Sequence, residues 1–472
     1  MATAFRGCAL RVSFLGLWAA ASLTAQEENR PHVPGPLRVH PTNHRYFADA
    51  TGQAVYLTGA HTWPNLVDMG PAPEPPPFAF AEYLSFLQHH EHNFVRLWTW
   101  ESAFWDTVAN GAKKRHVVRP LAYRRSGPNL ARDGKLKFDL RQFESEYFQR
   151  LRDRVGALCE RRIYVSVMLF EGWALQHDVT AWQGHPFHPD NNINDINGDL
   201  NGDGRGTEVH TLSIPEVVRI QEAYVRHVID TVNEFDNVLY EIANESGAYS
   251  TEWQYHLIRF IKDYEKSKPR QHPVGMTFQY AREKEQRGTN QLLFDSPADW
   301  VSPNPDGGYR DNPPAADVRK VTLNDTDHLW GIGGNRAWVW KSFCRGLNPL
   351  FMDPYDGTVL PPADAAKWDP VRRSLGHTRR FSLRMNLASC RPCDELASTG
   401  YCLADTERAQ YLVYAPDGGT ITVDLSAATG SLRMEWFNPA EGRCAAEGRV
   451  EGGARRELTA PFAGDAVLFV AR

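Results

Sequence analysis

Asn237-Val-Leu-Tyr-Glu-Ile-Ala-Asn-Glu-Ser-Gly247 decides the fold of this chain. A short run rich in Val, Leu, Tyr and Ile stops abruptly at Asn244-Glu245, which reads as a buried parallel strand entering a polar loop. Upstream, 215–234 has helical character, with Ser213 as a candidate cap and Pro215 in the first turn. Downstream, 253–266 reads as a second helix. A strand between two such stretches is the pattern of βα units around a parallel sheet.

The alternation extends over residues 37–395. Candidate strands lie at 54–59, 94–98, 163–169, 238–242, 273–277, 300–302, 320–324 and 349–352, and further helices at 80–89, 140–158 and 336–345. Eight strands over roughly 360 residues predict an elaborated (β/α)8 TIM barrel, class α/β, with 238–242 as its fourth strand. The loops at 68–78, rich in Pro, and 178–210, rich in Asn, Asp and Gly, are long. Loops at strand C-termini are where a barrel builds its site. After residue 396 the texture changes. Short strands at 410–415, 420–425, 432–437 and 466–471, with turn signals at Pro416-Asp-Gly-Gly419 and Asn438-Pro439, predict a small all-β sandwich over 396–472.

The 472 residues carry a formal net charge of −5, with 42% hydrophobic and 23% charged side chains. These are ordinary globular values, without the basic face that a nucleic-acid partner requires. Residues 1–25 read as a signal peptide: Arg6 and Arg11, an apolar run over 12–21, and small residues before a cut after Ala25. The run is short for a membrane span and no later segment is long enough, so no membrane partner is expected and the chain is expected to be secreted or periplasmic. Cys8 precedes the apolar run. Of the six remaining cysteines, Cys390, Cys393, Cys402 and Cys444 lie late and Cys159 and Cys344 lie in barrel segments. An exported chain can keep disulfides, and at least one is expected here; free buried thiols are the alternative. Cys390-Arg-Pro-Cys393 lacks the second close pair that a zinc site needs.

The chemistry is sought at the strand ends. Glu245, at the end of the fourth strand, is aimed into the barrel mouth, where a partly buried carboxylic acid serves as a proton donor; Asn244 before it can bond a sugar hydroxyl. The second carboxylate is expected at the end of the seventh strand, in Arg319-Lys-Val-Thr-Leu-Asn-Asp-Thr-Asp-His-Leu-Trp-Gly331. Asp325 is preferred as the first acid after the strand and is expected to face Glu245. Asp327 shares its parity if the chain stays extended, and His328 can orient or protonate a carboxylate. Other strand ends supply His61, Trp63, Arg96, Trp98, Trp100, Glu171, Trp173, Gln279 and Tyr280, joined by Trp330. Arg96 can hold a nucleophile ionised or serve as a structural ion pair. The tryptophans, among 14 in the chain, are platforms for sugar rings or core. Glu171 is next in line as an acid.

Two signals have plainer alternatives. His89-His-Glu-His92 reads as a solvated helix end before a metal cluster. Asp195-Ile-Asn-Gly-Asp-Leu-Asn-Gly-Asp-Gly204 resembles the start of a calcium loop, but His210 stands where the twelfth-position acid belongs, leaving a loop of Asx turns. No cofactor is expected.

In these motifs the chain resembles glycoside hydrolases of the large retaining clan that includes the family 5 cellulases, and within it the apiosidase-like branch. The carriers are Tyr56-Leu-Thr-Gly-Ala-His-Thr-Trp63, Asn93-Phe-Val-Arg-Leu-Trp98, Glu241-Ile-Ala-Asn-Glu245 and Asp325-Thr-Asp-His-Leu-Trp-Gly331. The tail, with Tyr411-Leu-Val-Tyr-Ala-Pro416 and Trp436-Phe-Asn-Pro439, resembles the small domain that follows such barrels and is labelled a collagen-binding domain of a collagenase; collagen is not inferred from the label. The resemblance implies a two-carboxylate glycosidase with a glycan substrate. One departure stands out: the clan carries Glu at the end of strand seven, and Asp is one methylene shorter, which bears on the ~5–5.5 Å separation typical of retention. The competing readings are a metal-dependent hydrolase built on His61, Asp325, Asp327 and His328, and a sugar-binding protein without turnover.

Overall fold

Every residue of Val238–Asn244 is buried, as expected of a strand covered on both faces. It is β4 of eight parallel strands in the computed structural model, which describes residues 33–109, 112–361 and 364–472. The proposed leader, with Cys8, lies outside the described residues. The others are β1 (Gly59–His61), β2 (Phe94–Leu97), β3 (Tyr164–Glu171), β5 (Val274–Thr277), β6 (Trp300–Ser302), β7 (Val321–Asp325) and β8 (Asn348–Met352). Their hydrogen-bonded order is β1-β8-β7-β6-β5-β4-β3-β2. Only the seam between β1 and β2 lacks a ladder, and one side chain bridges it. Asn93 accepts from the Thr58 amide (2.9 Å) and donates to the Tyr56 carbonyl (2.8 Å). Gly59 is required at this seam: a Cβ there would sit 2.1 Å from the Phe94 carbonyl oxygen. The expected first strand at 54–59 therefore splits. Ala54–Val55 pairs into a small antiparallel sheet with Phe47–Ala48, and the barrel strand starts at Gly59.

The principal helices are α1 (Phe80–His89), α2 (Ser145–Glu160), α3 (Pro215–Val232), α4 (Thr251–Glu265), α5 (Asn290–Asp295), α6 (Arg336–Cys344) and α7 (Ala365–Ser382). Helix α3 buries Val217, Val218, Gln221, Tyr224, Val225, Val228, Ile229 and Val232, one stripe at helical spacing. Pro215 opens it, while Ile214 is the cap residue and makes no side-chain cap bond. No helix separates β6 from β7 among the described residues; the segment 303–320 is irregular. Between β2 and α2 the chain inserts β structure that the sequence pattern did not reveal. Phe104–Ala109 and Ala112–Arg119 join Asp68–Pro71, from the loop after β1, in one antiparallel sheet, and Tyr123–Leu130 pairs with Leu136–Phe143.

The C-terminal part is an antiparallel β module, with a six-stranded sheet facing the pair Thr420–Asp424 and Arg455–Thr459. Its inner core includes Cys402, Val413, Val423, Trp436 and Leu468. A second cluster joins it to the barrel: Tyr46, Tyr56, Trp340, Phe343 and Phe381 pack with Leu412, Tyr414, Phe437 and Phe469. Arg336 adds a bidentate pair to Asp465 at 2.7 and 2.8 Å. The expected disulfide is not present among the described residues. Cys159, Cys344, Cys390, Cys393, Cys402 and Cys444 are free thiols, all but Cys444 buried. They pack as small apolar groups, and burial pushes the Cys344 and Cys390 thiols up to about 12.

Candidate active site

The site is organised by one buried cation. Arg96, on β2, makes five hydrogen bonds across the barrel. Its Nε and Nη2 donate to the two oxygens of Glu241 on β4 (2.9 and 2.6 Å), and Nη2 also donates to Asn244 Oδ1 (2.7 Å). Its Nη1 donates to Asp325 (3.1 Å) and Asp327 (2.8 Å) at the end of β7. The planar fork suits this role, since it presents several donors in fixed directions.

Asp325 is the last residue of β7 and 0% exposed. His61, from β1, donates to it through Nε2 at 2.9 Å. The tautomer follows from the neighbour: the Trp98 indole N–H donates to His61 Nδ1 at 2.8 Å, so the ring proton sits on Nε2. Asp325 also accepts the Asp327 amide (3.0 Å), capping the helical turn Thr326–Leu329. Burial opposes ionisation of Asp325, but His61 and Arg96 outweigh it and its pKa is lowered.

That turn corrects the expectation for this strand. The chain does not stay extended beyond Asp325, so parity no longer orders the side chains. Asp325 faces inward onto His61 and Arg96, and Asp327 is carried round to line the cavity. Burial raises the Asp327 pKa; Arg96 acts against this and Asp325 adds to it.

Glu245 follows β4 directly, with φ of 51°, in the left-handed region that a glutamate seldom occupies. Such strain costs of order 1–3 kcal/mol and persists only where the surroundings impose it. Here Gln176 clamps the turn, its Nε2 donating to the Glu245 carbonyl (2.5 Å) and to the Tyr280 carbonyl (2.9 Å). The Glu245 side chain is buried among too many acids for its one cation: Glu171, Glu241, Asp325 and Asp327 lie around it and Arg96. Burial first, then Asp327 and Glu171, raise its pKa well above the ordinary carboxylate value. Glu245 therefore sits where its protonated form is favoured, and burial likewise raises Glu171. His328 is buried and neutral, its pKa lowered by burial and then by Arg96. Its Nδ1 meets Ser302 Oγ at 2.7 Å and its Nε2 meets Asn244 Oδ1 at 3.2 Å.

These groups open into a cavity of about 480 Å³. Of the residues expected from sequence, Asn244, Glu245, Asp327, His328, Trp63, Trp98, Trp173, Tyr280 and Trp330 line it. His61, Arg96 and Asp325 lie outside the lining. Trp100 lies in an aromatic stack with Trp98 (5.8 Å) and Trp105 (5.4 Å). Glu171 caps the short helix Trp173–His177 through the Ala174 amide, and Gln279 braces the start of α4 through Thr251. The lining residues that sequence reasoning missed include Arg287, Arg310 and Met352. Loop arginines carry no local signal; only the fold brings them to the mouth.

Other clusters resolve into scaffolding. Ser246, His210 and Glu101 are linked in the order of a nucleophilic triad, at 3.2 and 2.9 Å, but Ser246 is 0% exposed and no substrate reaches it. Arg96 Nη1 takes oxygens of Asp325 and Asp327 that a metal would need, and no set of three or more His, Cys, Asp or Glu among the described residues is arranged for an ion. His90 and His92 bond the backbone carbonyls of Phe86 and Arg372. In the 195–204 loop, Asp199 accepts the Gly202 and Gly204 amides in turns of its own.

A family model described as "Domain of unknown function (DUF6298)" matches residues 118–281, which span β3, β4 and Glu245. One described as "Putative collagen-binding domain of a collagenase" matches residues 394–470. No curated protein matches the chain. Among solved structures, the chain is similar to a glycoside hydrolase at 13% identity and TM-score 0.59, covering 93% of this chain and 98% of that one. It is similar also to a family 5 glycoside hydrolase from Bacteroides vulgatus, at 13% identity and TM-score 0.60, covering 93% and 95%. At this identity the likeness is one of fold, and it extends over barrel and C-terminal module together.

Proposed function

We propose that this chain is a secreted glycoside hydrolase that cleaves a glycosidic bond in a plant or microbial polysaccharide or oligosaccharide, with Glu245 as the acid and Asp327 as the second carboxylate. One observation carries the reading. Two acids from opposite sides of the mouth, the ends of β4 and β7, line one aromatic-walled cavity, and only one of them contacts Arg96. The roles divide accordingly: Glu245, raised well above the ordinary range, donates a proton to the leaving oxygen, while Asp327, bonded to Arg96, acts on the anomeric carbon. Asn244, its Oδ1 held by Arg96 and His328, is suited to donate its side-chain N–H to a sugar hydroxyl beside the two acids.

In the retaining course that the clan resemblance implies, Asp327 attacks the anomeric carbon as the glycosidic C–O bond breaks and Glu245 protonates the departing oxygen. Glu245, now ionised, takes a proton from water, whose oxygen displaces Asp327. Arg96 and His61 hold the charge of the cluster throughout. The reading is tested by incubating the purified protein with a broad glycan panel and resolving the products. Hydrolysis by the wild type, lost roughly 10²–10⁴-fold in Glu245→Gln on poor-leaving-group substrates, is expected. Binding without turnover by the wild type would make it a sugar-binding protein instead.

A further inference from the structure

The cavity wall is divided between two chemistries. Trp63, Trp98 and Trp173, from the β1 to β3 side, form an aromatic arc; the loops after β5 and β6 contribute Arg287 and Arg310. Resting on the hydrolase reading above, we infer that the substrate is an anionic glycan, and that Arg287 and Arg310 bind a carboxylate or sulfate on a sugar adjoining the cleaved bond.

Arg287 is a positioned cation rather than a trailing surface side chain. It is half-buried, its Nε donates to the Ala281 carbonyl (2.7 Å), and its guanidinium lies 4.5 Å from the Tyr280 ring centroid. These contacts leave the two terminal nitrogens without a protein acceptor among the described residues, and no carboxylate pairs with it. Arg310 lies over the Trp330 ring at 5.5 Å. Its nearest acid is the adjoining Asp311, at 3.9 Å and 87% exposed. The acids of the cavity do not pair with these two among the described residues: Asp327 is bonded to Arg96 instead. Each guanidinium lies near an aromatic ring, at 4.5 and 5.5 Å from its centroid, and the edge of a guanidinium matches the paired oxygens of a carboxylate or sulfate. A neutral sugar offers no charged group for two cations on one side of the mouth, of which Arg310 has only the exposed Asp311 beside it among the described residues.

The test uses matched oligosaccharides: uronate-bearing against carboxyl-reduced, and sulfated against desulfated. A charge-assisted contact of this kind corresponds to roughly 10–100-fold. The wild type is expected to show that preference in kcat/KM for one charged member, chiefly through KM, declining as salt rises. In Arg287→Gln the ratio of charged to neutral substrate should fall toward one, with Arg310→Gln, on an exposed loop, as the variant least able to disturb folding. Which pair shows the preference separates carboxylate from sulfate. Calorimetric binding of the same pairs to Glu245→Gln reads the preference without turnover. Anion-selective binding with no hydrolysis by the wild type would uphold the inference and overturn the hydrolase reading. Equal handling of charged and neutral members by the wild type, or a ratio unchanged in both arginine variants, would overturn the inference alone.

Discussion

Asp325→Asn separates the two acids of β7. In the wild type, Asp325 accepts from His61 Nε2, Arg96 Nη1 and the Asp327 amide. Asparagine keeps one acceptor oxygen and turns an N–H group toward donors. His61 cannot adapt by changing tautomer, because the Trp98 indole N–H already occupies Nδ1. One buried charge-assisted bond is lost and one donor is left facing another, a cost of roughly 3 kcal/mol, read as a lower urea midpoint. Arg96 keeps its contact to Asp327, so the reacting groups remain but sit less well. A displacement of that kind costs on the order of 10²-fold in kcat/KM. The charge of Asp325 also raises both Asp327 and Glu245, so its loss should move both limbs of the pH profile toward acid. Azide gives the contrast: Asp327→Ala should be rescued through a glycosyl azide of inverted configuration, and Asp325→Ala should not. Rescue of Asp325→Ala alone would show that Asp325, despite its burial, is the attacking carboxylate.

Other outcomes follow from the same geometry. The pH profile of kcat/KM should be a bell with both limbs above ordinary carboxylate values: activity rises as Asp327, raised by burial, loses its proton, and falls as Glu245, raised further, loses its own; a profile flat from pH 4 to 9 would remove both assignments. Trp173→Ala should raise KM several-fold on oligosaccharides with kcat nearly unchanged, since the half-buried Trp173 is available as a platform, whereas Trp100→Ala, in the core stack, should lower stability by about 3–5 kcal/mol. Cutting the chain near residue 396 exposes the Trp340, Phe343 and Phe381 face, so the barrel alone should lose solubility before chemistry; a soluble, folded barrel without any hydrolysis would contradict that division.

The barrel was legible because buried parallel strands write themselves as short apolar runs, and β4 ends on the acid that enters the cavity. Asp327 was harder. Asp325 ranks first as the first acid after the strand, and period two leaves Asp327 with the same parity; the backbone leaves the extended state at Asp325 itself, whose side chain caps the turn that follows, so the two acids face different surroundings. The 104–143 insertion escaped because Ala112–Arg119 is dominated by charge, reading Ala-Lys-Lys-Arg-His-Val-Val-Arg, and the apolar Leu140 and Phe143 of Leu136–Phe143 fall within the helix expected at 140–158. Trp98 and Trp100 share parity and look alike in sequence, yet only Trp98 reaches the cavity. Arg287 and Arg310 belong to loops without periodicity, and Tyr280 and Trp330 beneath them are partners fixed only by the folded chain.

The most direct measurement of the central claim is a crystal structure of Glu245→Gln holding an uncleaved oligosaccharide. The expected result has the glycosidic oxygen within hydrogen-bond distance of residue 245, the anomeric carbon facing the Asp327 carboxylate, and Asp325 out of contact with the sugar behind Arg96 and His61. A sugar bound with its anomeric carbon turned to another acid, or lying outside the cavity between β4 and β7, would contradict it.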